Sequence, residues 1–189
     1  MKLRQSVMAC ILALGSHSVY ASTADANEVR GYFRSPALHQ QTLIFTAEGD
    51  LWKQSLSSAQ ASRLTSLPAL ETGAAISADG NWIAFEANYD GTTEVYVMPM
   101  AGGEAKRVSF EHAQVKVQGW TPDGQVLYAS NNGVGPSNWV LRSVDPISLT
   151  SRDIALADAN EGVVSADGET IFFSRFGLQV TGDNSRVYR

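Results

Sequence analysis

Cysteine is almost missing from this chain. The single residue, Cys10, lies within the first 21 positions. Disulfides, thiolate metal sites and a cysteine nucleophile are therefore excluded from everything that follows them. Helical periodicity is missing too, since no segment repeats apolar residues every three to four positions over several turns. Positive charge is scarce: 14 Lys and Arg stand against 19 Asp and Glu, a formal net charge of -5. That balance argues against a sequence-independent grip on nucleic acid, and no polybasic stretch suits an anionic membrane surface. No apolar run approaches the roughly 20 residues of a membrane span. Neither His-Glu-x-x-His nor Gly-x-Ser-x-Gly occurs, and Gly102-Gly103 reads as a strand connector, not a phosphate loop.

What is present begins with an export pattern. Lys2 and Arg4 give a positive start, Val7 to Gly15 an apolar run, and Val19-Tyr20-Ala21 a small-residue exit. Residues 1–21 are thus expected to be a secretory signal peptide and 22–30 a linker. Cys10 as a lipidated residue fits poorly, because almost no apolar run precedes it. Cleavage would remove two basic residues and no acidic one, leaving a more acidic chain with no membrane anchor and no cysteine.

Three segments then align without gaps: Ser77-Ala78-Asp79-Gly80, Thr121-Pro122-Asp123-Gly124 and Ser165-Ala166-Asp167-Gly168. Their aspartates recur every 44 residues, and each is followed by an apolar strand-like run, at Trp82 to Phe85, Val126 to Ala129 and Thr170 to Phe173. Asp-Gly is hairpin chemistry, because glycine accepts positive φ and aspartate bonds nearby amides. One unit reads as four strands: Ala74 to Ile76, Trp82 to Ala87, Glu94 to Met98 and Lys106 to Ser109. An earlier unit fits more loosely, with Leu43 to Thr46, Leu51 to Leu56 and Arg63-Leu64-Thr65 matching the later strands. Four strands in about 44 residues is the period of a propeller blade. Near-continuous apolar runs fit strands covered on both faces. The expectation is an all-β chain, a β-propeller of four-stranded antiparallel blades with repeats near 34–73, 74–117, 118–161 and 162–189. Rings have about four to eight blades, so about three and a half blades imply an incomplete ring. Either the natural chain continues beyond Arg189, or a short chain closes its ring as a homo-oligomer.

Candidate chemical residues have plainer explanations. Asp79, Asp123 and Asp167 could suggest metal ligands, but each occupies a hairpin of a different blade, whereas calcium needs six to eight converging oxygens. His17 lies in the signal peptide, and His39 and His112 lack ligand spacing. Ser77 and Ser165 precede turns, where hydroxyls bond the backbone. Trp52, Trp82 and Trp120 recur at strand positions and are expected to pack blade cores. Trp139 follows the polar loop Asn131 to Asn138, the best guess for a contact surface. No catalytic, cofactor-binding or metal-binding residue is assigned, no cofactor is implied, and substrate-binding residues stay open.

The Ser/Thr-x-Asp-Gly repeat resembles the propellers of TolB and of tricorn-type peptidases. The opening Gly31 to His39, followed by Ile44-Phe45 and Glu48-Gly49-Asp50-Leu51-Trp52, looks like the start of a tricorn-type amino-terminal propeller. Phe172 to Asn184 is similar to a segment of the same propeller. The resemblance implies a non-catalytic propeller ahead of a PDZ-like module and a serine-protease core, guiding peptides through an axial channel. It implies catalytic residues downstream of Arg189, and an exported, periplasmic location follows from the signal peptide. The alternative is a TolB-like periplasmic scaffold without activity. A Gly-x-Ser-x-Gly motif further along would instead indicate an α/β-hydrolase oligopeptidase.

Overall fold

A computed structural model describes residues 31–133, 138–156, 158–176 and 185–188. The expected signal peptide and linker lie outside the described residues. The first blade comprises β1 (Arg34–His39), β2 (Thr42–Ala47), β3 (Asp50–Ser55) and β4 (Ala61–Arg63). The second comprises β5 (Glu71–Ile76), β6 (Trp82–Ala87), β7 (Glu94–Pro99) and β8 (Lys106–Arg107). The third comprises β9 (Val115–Trp120), β10 (Val126–Ser130), β11 (Val140–Val144) and β12 (Ser151–Asp153), and the fourth β13 (Ala159–Val164), β14 (Ile171–Phe176) and β15 (Ser185–Tyr188). Each sheet is an antiparallel meander in chain order, and no helix occurs among the described residues. The chain is all-β, built of propeller blades in an open array. β15 was not foreseen from sequence, and the first strand of the second blade starts three residues earlier than its apolar content suggested, at the polar pair Glu71-Thr72.

The continuous apolar runs have a direct cause. In a strand, successive side chains point to opposite faces. Ile83, Phe85 and Ala87 join Ile44, Leu51 and Met98 in the core between the first and second blades. Ala84, from the same strand, joins Val95, Val97, Val126 and Tyr128 between the second and third. Ala129, Leu141 and Ala159, with Ile171 and Phe173 packed against them, fill the third seam. Both faces of each inner blade are thus dry, and a two-residue alternation of polar and apolar has no place there.

A second device repeats with the 44-residue period. Asp50 opens β3 and pairs with Arg63, whose Nε donates to the Thr65 carbonyl while the Leu51 amide donates to Thr65 Oγ1. Glu94 opens β7 and pairs with Arg107 at 2.8 Å, the Arg107 Nε donates to the Ser109 carbonyl, and the Val95 amide donates to Ser109 Oγ. Glu94 also accepts from Ser109 Oγ and from the amides of Glu111 and His112. Burial alone would raise its pKa, but these donors and the Arg107 charge outweigh that and hold it below the usual carboxylate range. The latch ties each third strand to the outermost strand and the loop beyond it.

Replacing Glu94 by alanine leaves the Ser109 hydroxyl and the Glu111 and His112 amides without their acceptor, and leaves Arg107 with Asp90, 3.6 Å away, as its acidic partner. Urea unfolding is expected to show a loss of about 3 kcal/mol near neutral pH. Because the folded-state pKa is depressed, this contribution is present above the unfolded carboxylate pKa and lost as pH falls through the folded one. The deficit should therefore shrink in acid.

Candidate functional site: the inner wall of the blade array

The first strands of successive blades, β1, β5, β9 and β13, adjoin one another. They form a concave wall with a cavity of about 550 Å³ running from Ser35 and Thr72 past Lys116 and Gln118 to Glu161 and Ser174. Each of these strands is the edge of its sheet. A sheet edge carries unpaired backbone groups that must find partners. Here side chains reach across the seams. Glu86 accepts from the Val117 amide at 2.9 Å, and Gln118 Oε1 accepts from the Gly162 amide at 3.0 Å. Ser35 and Thr72 hydroxyls meet at 3.0 Å across the first seam.

Every wall strand also has a break in register: between Arg34 and Ala37, between Thr72 and Ala75, around Gln118, and between Ala159 and Glu161. Such bulges re-aim side chains and increase twist. At the second, Gly73 has φ +62°, and a Cβ there would lie 2.2 Å from Glu86 Oε1. Glycine is required because the Glu86 carboxylate passes over this position on its way to Val117. Burial raises the Glu86 pKa, with the Val117 amide and Lys116 pulling the other way. Lys116 itself stands 5.0 Å over the Trp139 ring. The wall therefore offers polar, mixed-charge and edge-strand groups.

The aspartates identified in the sequence occupy their hairpins at the other end of the innermost strands. Ser77 Oγ donates to Asp79 at 2.5 Å, Thr121 Oγ1 to Asp123 at 2.5 Å, and Ser165 Oγ to Asp167 at 2.5 Å. These hydroxyl bonds, with nearby amides, hold all three carboxyl groups below their usual pKa. The serines are turn residues as expected. Among the described residues no group of three or more His, Cys, Asp or Glu side chains is placed to hold a metal. The His39 ring sits against Gly80 of the next blade, and His112 contributes its amide to Glu94.

The tryptophans divide. Trp52 and Trp120 are half-buried, donating to the carbonyls of Ala47 and Ala75. Trp139 packs beside the third seam. Trp82 departs from expectation: it is 45% exposed rather than packed in a core. Its strand pairs Trp82 with Pro99 at the sheet's end, where it lines an open groove facing the hairpin of the third blade. Of the contact loop proposed from sequence, 134–137 lie outside the described residues. Sequence reasoning missed the buried carboxylates Glu71, Glu94 and Glu111. For Glu94 the signal existed: Asp50, Arg63 and Thr65 recur 44 residues on as Glu94, Arg107 and Ser109.

The model of the tricorn protease N-terminal beta propeller domain matches residues 30–189. The chain belongs to that family. Tricorn protease homolog 1 of Streptomyces coelicolor is 38% identical over 103 residues, covering 54% of this chain and 10% of the relative. The crystal structure of the tricorn protease superposes with a TM-score of 0.65 at 22% identity, over 78% of this chain and 16% of that one. TolB from Acinetobacter baumannii superposes with a TM-score of 0.70 at 22% identity, over 83% of this chain and 40% of that one. At such identities the two structures speak to the fold alone. The chain spans about a tenth of the Streptomyces relative, so this propeller corresponds to one part of a much larger protein there.

Glu86 supplies the test of the wall's electrostatics. A carboxyl whose folded pKa is raised gives its full stability below the unfolded pKa and loses it as pH rises through the folded pKa. Glu86→Gln keeps the acceptor for Val117 and removes the charge. The variant is expected to match the wild type near pH 4 and to be the more stable protein at pH 7, as read by thermal melting across that range.

Proposed function

We propose that this chain is the non-catalytic amino-terminal propeller of an exported tricorn-like serine peptidase, and that its inner wall guides peptides to or from a protease core outside these residues. The family match over 30–189 carries the reading. The wall supports it chemically. Edge strands present backbone donors and acceptors that extended peptides can meet, and Lys116, Glu161 and the serine hydroxyls add polar contacts without sequence-specific pockets. Proteolysis itself would follow acyl transfer at a serine in the core. Export rests on the signal pattern of residues 1–21. The TolB likeness favours a second reading, a binding or scaffold propeller with no enzymatic activity.

The test uses the full-length natural protein recovered from the periplasm. Its amino terminus should begin at Ser22, and it should cleave peptides. Lys116→Glu on the wall is expected to raise KM for substrates of ten or more residues by about fivefold, while hydrolysis of a dipeptide-sized chromogenic substrate stays within about twofold. A protein that cleaves no peptide would establish the scaffold reading instead. Equal effects on long and short substrates would remove the guiding role.

A further inference from the structure

Away from the inner wall, the second and third blades part at their Asp-Gly hairpins to leave a groove of about 590 Å³. This is within the size range of ligand sites. The sequence placed Asp79 and Asp123 in separate blades, yet the structure sets both on this one groove. Two indoles line it. Trp120 is fixed by its bond to the Ala75 carbonyl, 3.0 Å, so it offers its ring and not its N–H. Trp82 is 45% exposed at the groove. Pro122 and Pro146 add apolar surface, and Ile147 stands 87% exposed at the groove.

The charges are arranged unevenly. Lys106 is the lining cation, and its ammonium already donates to the Pro146 carbonyl at 3.0 Å and the Ile147 carbonyl at 3.5 Å. Arg152 acts on Asp123 and on Asp145 from outside the lining. Asp79 and Asp123 are held by neutral donors of their own turns, Ser77 and Asn81 for one, Thr121 and Gln125 for the other. The two carboxylates thus face one lining cation, Lys106, whose ammonium is engaged by carbonyls, and Arg152 offsets part of the Asp123 charge from outside, which leaves the groove with an excess of negative charge centred on Asp79. The fixed Trp120 face, the exposed Trp82 indole and adjacent carboxylates form a combination suited to a polyproline-like segment. The rings take its apolar side chains, and the carboxylates meet a cation.

We propose that this groove docks an extended, proline-containing peptide that carries basic residues beside its apolar ones. It would be an anchoring site separate from the inner wall and independent of whether the wall conducts substrate.

Fluorescence anisotropy on the full-length protein tests this with two labelled peptides. One carries Ala-Pro-Leu-Pro flanked by Arg-Arg, the other the same core flanked by Glu-Glu. The arginine peptide is expected to bind at least about tenfold more tightly. Trp82→Ala and Ile147→Lys, both at exposed side chains, should each weaken it by about tenfold or more. Asp79→Asn with Asp123→Asn keeps the turn acceptors and should erase the preference between the two peptides. Lys116→Glu should change nothing. Equal binding of both peptides, no binding of either at millimolar concentration, or binding indifferent to Trp82→Ala and Ile147→Lys would each overturn the proposal.

Discussion

A blade array lives or dies by what happens at the inner edge of each sheet. The innermost strand of a blade has a neighbour on one side only, so half of its backbone groups face the axis. In this chain the preceding blade reaches over and takes some of them. Glu86 holds the Val117 amide and Gln118 holds the Gly162 amide. Bulges in every wall strand turn the backbone toward these acceptors, and Gly73 clears the way for one of them. Apolar packing between blades is strong but non-directional. The cross-seam hydrogen bonds supply the registration that packing lacks, and they leave the wall polar rather than greasy. The proposed peptide path depends on both consequences.

Outside the wall, stability comes from units repeated every 44 residues. The Ser/Thr-x-Asp-Gly turn fastens the first strand to the second by a hydroxyl–carboxylate pair and a glycine at positive φ. The carboxylate–arginine–hydroxyl latch fastens the third strand to the fourth. In the third blade this pattern is rebuilt: Arg142 on the third strand meets Glu111 from the preceding loop and Asp153 on the outer strand. The Glu111 carboxylate also gathers Tyr128, Ser130 and Asn132. The chemistry of a buried, fully bonded carboxylate persists although Asn138, Ser151 and Asp153 stand 44 residues after Glu94, Arg107 and Ser109.

Much of the architecture was legible because strands buried on both faces write a continuous apolar run, and because Asp-Gly turns mark the same corner of every blade. The repeat placed the starts of the second strands to within a residue, while the last of them runs on to Phe176, beyond its expected end. First strands were harder: Glu71 and Thr72 are polar, yet β5 starts with them because Glu71 is wholly buried, bonded to Tyr89, Thr65 and the Leu51 amide. β15 escaped because it follows its partner after a long connection and has little apolar content. Trp82 misled for a different reason. Its gapless position in the repeat matches Val126, but the hairpin of the third blade is one residue shorter: the Ser77 amide donates to the Trp82 carbonyl where the Thr121 amide donates to that of Gln125, so Ile83, not Trp82, takes the buried place of Val126. Contacts across seams, such as Glu86 with Val117, join residues 31 apart in different blades and leave no local pattern to read.

The central claim is that side chains of one blade hold the exposed inner edge of the next. Residue-resolved amide hydrogen exchange on the full-length protein tests it most directly. If Glu86 and Gln118 hold the wall, the amides of Val117 and Gly162 will exchange as slowly as those of the buried strand β10, and Glu86→Ala will release Val117 by orders of magnitude while leaving β10 protected. Exchange of both amides at the rate of an exposed loop would contradict the account and leave apolar packing alone as the force that aligns the blades.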